Sequence, residues 1–152
     1  MNGKKTTALV TGGCGFIGAN FVRLLLQSNE YRVVNLDALT YAAHPLSITG
    51  LEDNADYTFI KGSITDRALV DSLFEKYQPA GVLHLAAESH VDRSIVSAED
   101  FVQTNVIGTF TMLEAARGYW NDLPEARKQA FRFLHVSTDE VFGSLGPEGW
   151  FT

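Results

Sequence analysis

Short apolar runs alternate along the chain with segments whose apolar residues recur at helical spacing. Thr7 to Thr11 is one such run, closed by Gly12-Gly13, and it is followed from Phe16 to Leu26 by Phe16, Ile17, Phe21, Leu24 and Leu25 on a helical repeat. This pattern predicts a strand, a tight turn and a helix. Tyr31 to Leu36 is β-rich and apolar again, with Asp37 at its end. Strand, helix and strand joined by short links make a βαβ unit, whose crossover is right-handed in nearly all cases.

The alternation continues with Tyr57 to Lys61 as a third strand and a helix from Asp66 to Tyr77, started by Thr65 or Asp66 and stopped before Pro79. Val82 to Leu85 predicts a fourth strand and Phe131 to Val136 a fifth. Between them a long helix is expected from Ser97 to Arg117, because Ser97-Ala98-Glu99-Asp100 resembles an N-terminal cap and Gly118 follows its end. Ala38 to Asp56 is the one long irregular connection, with room for a helical turn or two. Near-continuous apolar strands alternating with amphipathic helices predict an α/β fold with a parallel sheet covered on both faces.

With 152 residues the chain suits one domain and is short for two. Its 45% hydrophobic, 20% charged and 11% aromatic residues exclude disordered, collagenous and coiled-coil classes. Twelve Lys and Arg against 18 Asp and Glu give a net charge of -6, the wrong sign for sequence-independent nucleic-acid binding or attachment to a membrane surface. The apolar run after Lys4 and Lys5 is only Ala8-Leu9-Val10, too short for a signal peptide, and no stretch of about 18 apolar residues predicts a transmembrane helix. Cys14 is the single cysteine, and no Cys and His spacing suggests a metal site. The expectation is a soluble cytoplasmic protein with neither nucleic-acid nor membrane partners.

The first strand-to-helix turn reads Thr11-Gly12-Gly13-Cys14-Gly15-Phe16-Ile17-Gly18, which matches G-x-G-x-x-G from Gly13 and G-x-x-G-x-x-G from Gly12. Glycines let a backbone turn tightly against a pyrophosphate, and the helix N-terminus offers free N–H groups to it. Asp37, at the end of the next strand, strengthens the match. Its carboxylate can accept both ribose hydroxyls and would repel a 2′-phosphate, so NAD is favoured over NADP. The competing readings are a tight turn without a ligand and a loop-capping Asp37. Cys14 reads as a small turn residue rather than a nucleophile.

TGGCGFIG (Thr11 to Gly18), NLDALTY (Asn35 to Tyr41), HLAAESHVDRS (His84 to Ser94), TNVIGT (Thr104 to Thr109) and STDEVFG (Ser137 to Gly143) together resemble the extended short-chain dehydrogenase/reductase family. More narrowly they resemble the N-terminal part of the dTDP-glucose 4,6-dehydratases. The resemblance implies a Rossmann-type doubly wound parallel sheet, incomplete at the C-terminal side. It also implies one NAD-binding domain over residues 1–152, a dTDP-glucose substrate and a homodimeric parent enzyme. AAESHVDRS and TNVIGT are shared broadly among nucleotide-sugar epimerases and dehydratases. Thr138-Asp139-Glu140 discriminates, because the 4-epimerases usually lack the acidic pair.

Carried over position by position, the resemblance makes Asp139 the acid for the C6 hydroxyl, Glu140 the base for the C5 proton and Thr138 a donor near the C4 oxygen. A dehydration across C5 and C6 needs such a pair in opposite protonation states. A solvated charged turn is the plain alternative for these residues. Gly12, Gly15 and Gly18 form the turn, with Phe16 and Ile17 beside the pyrophosphate and Asp37, Ala38, Leu39 and Thr40 around the adenosine ribose. Ala86, Ala87, Glu88, Ser89 and His90 line the nicotinamide half, His90 also nears the substrate, and Thr104 contacts the cofactor. Asn105 is expected to be structural, and Arg93 either meets a phosphate or pairs with Asp92. The family's Asp-Ile at the adenine is Ser63-Ile64 here, and its lysine after the ribose-binding acid is Ala38.

The resemblance also implies a Tyr-x-x-x-Lys helix beyond the fifth strand. The only such spacing here is Tyr57 to Lys61, on a predicted strand, where four residues span about 13 Å against about 6 Å on a helix. The pair therefore cannot substitute. The chain reads as a fragment that is inactive alone, with the sugar-binding region absent. A nucleotide-sugar 4-epimerase, another nucleotide-sugar dehydratase and a non-catalytic dinucleotide-binding module stay open as alternatives.

Overall fold

The predicted apolar runs hydrogen-bond side by side into one parallel sheet. In the computed structural model, which describes residues 5–143, 146 and 148–150 and leaves aside the side chains of Pro45, Val91, Arg93, Asp139 and Glu140, the strands are β1 (Thr6–Thr11), β2 (Tyr31–Asp37), β3 (Tyr57–Lys61), β4 (Gly81–His84) and β5 (Arg132–His135). Their order is β3-β2-β1-β4-β5, and every neighbouring pair is parallel. The chain winds outward from β1 to β3 and then outward on the other side through β4 to β5. This is the doubly wound, Rossmann-type α/β arrangement.

Burial on both faces explains why the central strands are apolar throughout. Neighbouring residues of a strand point to opposite faces, so Leu9 and Val34 join one layer while Val10 and Val33 join the other. The first layer is built with Val70, Leu73 and Phe74 of α2 (Arg67–Tyr77) and Met112, Ala115 and Ala116 of α5 (Thr109–Asp122). The second is built with Val22 of α1 (Phe16–Gln27) and with Leu51 and Tyr57. Burying one Val or Leu contributes roughly 1.5–3 kcal/mol, so a one-residue slip that turned these side chains to the wrong faces would be strongly opposed.

α2 starts and stops as the sequence predicts: Asp66 caps it by accepting the Leu69 N–H at 3.0 Å, and Gln78 ends it in the left-handed conformation. The expected helix from Ser97 to Arg117 differs. It runs as α4 (Ala98–Phe101), a π-helical stretch Val102–Gly108 and then α5, and Gly118 lies inside α5 rather than after its end. Helical packing overrides the glycine, since the Tyr119 ring lies 5.1 Å from Phe74 and 5.7 Å from Phe131 and its hydroxyl donates to the Pro79 carbonyl. Pro124 sets the real stop by holding Leu123 extended. Two short helices, α3 (Val91–Val96) and α6 (Glu125–Ala130), have no counterpart in the predicted elements. The irregular connection holds a single 3-10 turn, Pro45–Ile48. No described helix is long and apolar enough to cross a membrane.

Candidate functional site

All strands point their carboxyl ends the same way, and the winding reverses between β1 and β4. Ligands of open α/β sheets bind in the crevice at this reversal. A cleft opens there, walled by Gly12 and Gly15 of the first turn, by Asp37, Ala38 and Thr40 after β2, and by Ser63 and Ile64 after β3. Ala86, Ala87 and Glu88 after β4 and Thr104 of the π-helical stretch complete it.

The glycines of the turn serve different ends. Gly12 has φ +72, and a Cβ there would lie 2.7 Å from the Ala86 nitrogen. On Gly18 a Cβ would collide with the Gly12 carbonyl oxygen, so this residue lets the helix approach the strand. A Cβ on Gly15 would come no closer than 3.4 Å to any other part of the chain, although Gly15 lines the cleft. Gly15 is also the N-cap of α1 and offers the helix no side-chain cap. The first amides of α1 therefore form a place for an anion. Phe16 and Ile17, on the first turn of α1, are 86% and 62% exposed and lie off the cleft wall.

Asp37 is buried at the end of β2, and both carboxylate oxygens are used. Oδ2 accepts the Cys14 N–H at 2.8 Å and Oδ1 accepts the Leu39 N–H at 2.8 Å. The side chain thus clasps the glycine turn to the loop after β2. Each carboxylate oxygen can accept a second hydrogen bond, so the loop-capping and ligand-binding readings are compatible. Leu39, at φ 55, serves through its backbone and is not on the cleft wall. Burial first, then the Asp37 charge, pushes the Cys14 thiol up to about 11, which leaves it un-ionised at neutral pH.

On the opposite wall, Asn105 brackets the Glu88 backbone: its Oδ1 accepts the Glu88 N–H and its Nδ2 donates to the Glu88 carbonyl, each at 2.8 Å. That is the structural role the sequence predicts. The Tyr41 hydroxyl donates to Glu88 Oε2 at 2.6 Å, and the Tyr41 ring lies 6.0 Å from His90. Ser89 and His90 are exposed and lie off the wall. The Ser63 hydroxyl is engaged within its own turn, 2.7 Å from Thr65 Oγ1 and accepting the Thr65 N–H at 3.1 Å.

Sequence reasoning missed Leu36, Ala42, Ala43, Gly62 and Leu85 on the wall. The two alanines arrive because the His44 N–H donates to the Cys14 carbonyl, a contact no local pattern announces. Thr138 and the 3-10 turn Asp139–Phe142 follow β5 at the same end of the sheet, with the Val136 N–H extending the ladder to the His84 carbonyl. Thr138 is exposed. The side chains of Asp139, Glu140 and Arg93 lie outside the described set. Tyr57 and Lys61 stand on β3, at the two ends of one strand. Among the described residues no group of His, Cys, Asp and Glu could hold a metal.

Comparison with known proteins agrees with this geometry. A dTDP-glucose 4,6-dehydratase of Xanthomonas campestris pv. campestris is 60% identical over 146 residues, covering 96% of this chain and 41% of that protein. One from Neisseria gonorrhoeae is 54% identical over 149 residues, covering 97% and 43%. The chain thus spans about two fifths of the length of these relatives. Among solved structures, a dTDP-glucose 4,6-dehydratase of Bacillus anthracis in complex with NAD superposes with a TM-score of 0.80 at 38% identity, covering 97% of this chain and 42% of that one. A UDP-glucose 4-epimerase of Brucella ovis, also in complex with NAD, gives 0.73 at 28% identity, covering 91% and 38%. The family described as GDP-mannose 4,6 dehydratase matches residues 9–151, nearly the whole sequence. With its glycine turn, clasped Asp37 and cleft at the reversal of a doubly wound sheet, the chain belongs to that family.

Proposed function

We propose that the cleft binds NAD and that residues 1–152 form the dinucleotide-binding domain of a hydro-lyase converting dTDP-glucose to dTDP-4-keto-6-deoxyglucose. The observation that carries NAD binding is the pairing of an uncrowded Gly15 at the start of α1 with a carboxylate, Asp37, fixed at the end of the neighbouring strand. Gly12, Gly15 and the first amides of α1 would hold the pyrophosphate, with Phe16 and Ile17 contributing backbone there. Asp37 would accept the ribose hydroxyls, with Ala38 to Thr40 around them and Ser63 and Ile64 beside the adenine. Ala86 to His90 and Thr104 would flank the nicotinamide. The names of the relatives and the NAD held by the structural neighbours support this reading.

When bound, NAD supplies reversible hydride transfer with the sugar. Loss of water across C5 and C6 then asks for a proton acceptor at C5 and a proton donor at the C6 oxygen. Glu140 and Asp139 fill these roles, and Thr138 donates toward the C4 oxygen. Their place after β5, at the ligand-binding end of the sheet, supports the assignment. Val106, Phe110 and Leu113, spaced four and three apart and 59%, 60% and 46% exposed, leave an apolar helical stripe that supports a homodimeric enzyme. We place it in the cytoplasm, where the lone Cys14 thiol stays reduced.

Calorimetric titration of the chain with NAD and NADP tests the binding step. NAD should bind and NADP should bind at least about tenfold more weakly, because a 2′-phosphate would face Asp37. No heat with millimolar NAD would overturn the proposal. Incubation with NAD and dTDP-glucose, with the 4-keto-6-deoxy product followed by absorbance in alkali, should show no turnover, since the one Tyr-x-x-x-Lys spacing is on a strand. Ready turnover would refute that part.

A further inference from the structure

Beneath the cleft lies a buried polar chain that the proposed chemistry does not use. His84, at the end of β4, is 0% exposed and sits between Thr11 of β1 and Thr109 of α5. Its Nδ1 is 2.7 Å from Thr11 Oγ1 and its Nε2 is 3.0 Å from Thr109 Oγ1. Thr11 Oγ1 also accepts the Ala86 N–H at 3.3 Å. Thr11 immediately precedes Gly12, and Ala86 is the residue whose backbone leaves no room for a side chain on Gly12. The chain of contacts therefore ties together the two turns of the cleft floor at the point where they touch.

The order of donors follows from the partners. Ala86 N–H can only donate, so Thr11 Oγ1 receives a proton from that side and has its own hydroxyl proton to give. The Thr11 oxygen could accept a second time, but its own proton needs an acceptor, and among its contacts only Nδ1 offers one; this assigns the imidazole proton to Nε2, facing Thr109 Oγ1. We infer that His84 is a positioning residue for the dinucleotide cleft: neutral and protonated on Nε2, it orients the Thr11 hydroxyl that holds the glycine turn and the Ala86 segment together. This rests on the NAD reading above. Burial pushes the imidazole down to about 4, with a smaller contribution from His135, so the ring is neutral near pH 7. His135 is the titratable group facing it from β5, with ring centroids 5.0 Å apart, and Phe133 is its other neighbour there at 6.0 Å.

Two measurements test the role. Histidine ring ¹⁵N–¹H correlation spectra of the chain near pH 7 should show one buried ring protonated on Nε2 with an unprotonated Nδ1. A charged ring, or a proton on Nδ1, would overturn the inference. NAD titration of His84→Leu and Thr11→Val should show affinity weakened about tenfold, the scale of one lost buried hydrogen bond. In His84→Asn the amide oxygen can stand where Nδ1 stood, so affinity should return to within about threefold of the parent. Thr11→Val keeps the side-chain shape and carries the test if His84→Leu does not fold. Unchanged affinity in a folded Thr11→Val protein would sink the positioning role while leaving NAD binding intact. Failure of the parent chain to bind NAD, with the expected tautomer present, would instead bring down the dinucleotide reading.

Discussion

A Cβ on Gly18 would collide with the Gly12 carbonyl oxygen, whereas one on Gly15 would meet only ordinary contact at 3.4 Å. The G-x-x-G-x-x-G spacing shows both residues and cannot tell them apart, because the difference lies in what faces each α-carbon once strand and helix have packed. It becomes a measurable contrast. Gly18→Ala should lose roughly 1–3 kcal/mol of stability through overpacking against backbone. Gly15→Ala should lose only about 0.5–1 kcal/mol, the cost of alanine at an N-cap, yet bind NAD about tenfold more weakly, since the added methyl enters the space a pyrophosphate needs. Urea denaturation read beside calorimetric titration separates the two effects. A Gly15→Ala protein with parental affinity would remove the glycine turn from the ligand site. Asp37 was only half legible in the same way: its place at the strand end is visible in sequence, but its bonds to the Cys14 and Leu39 amides depend on a loop conformation that sequence does not show.

Strands were readable because burial on both faces leaves a continuous apolar run, as in Val33 and Val34, which enter opposite layers. The third strand, Tyr57–Lys61, has the bounds its pattern predicts. Helix ends were less readable where a local signal and tertiary packing disagree. Gly118 is a stop by local rules, yet Tyr119 and Leu123 hold the helix through it to Asp122. The same argument yields a prediction at this scale. A Cβ on Gly118 would meet nothing within 4 Å, and the residue lies in a helix with φ outside the left-handed region. Gly118→Ala should therefore stabilise the chain by about 0.5–1 kcal/mol, through helix propensity alone. Thermal unfolding should show the gain, and NAD titration should show no change. A destabilised variant would mean that the backbone at 118 needs a freedom that α5 does not reveal. Ala42 and Ala43 mark the opposite limit: they reach the cleft only because the His44 amide bonds to the glycine turn, a pairing of distant segments without periodicity to announce it.

For the molecule as a whole, the buried His84 couples stability to pH. Its native value lies near 4, below the 6.5 of an exposed imidazole, with burial as the main cause. Between those values the unfolded chain carries a proton that the native chain refuses, so stability falls as pH drops from 6.5 toward 4 and the contribution levels off below. The full loss is on the order of 3 kcal/mol, a substantial part of what a domain of this size has. Carboxylates act at the acid end of this window and below it: Arg117 holds Glu114 below its ordinary 4.5, so that contribution is lost only as pH falls past 4.5. Lys5 and Arg32 hold Asp56 below its ordinary 3.8, and that stabilisation is present above 3.8 and lost only as pH falls through the lowered native value. Stability measured by urea denaturation at pH 7, 6.5, 6 and 5.5, where the carboxylates stay largely ionised, should therefore decline before their titration contributes. In His84→Asn, which cannot take up a proton, the slope should shrink by about one proton over the same range. An identical slope in parent and variant would place the acid sensitivity elsewhere and leave His84 without its energetic link to the fold. A reduced slope would mean that the neutral ring joining β1, β4 and α5 under the cleft is also what makes the sheet sensitive to mild acid.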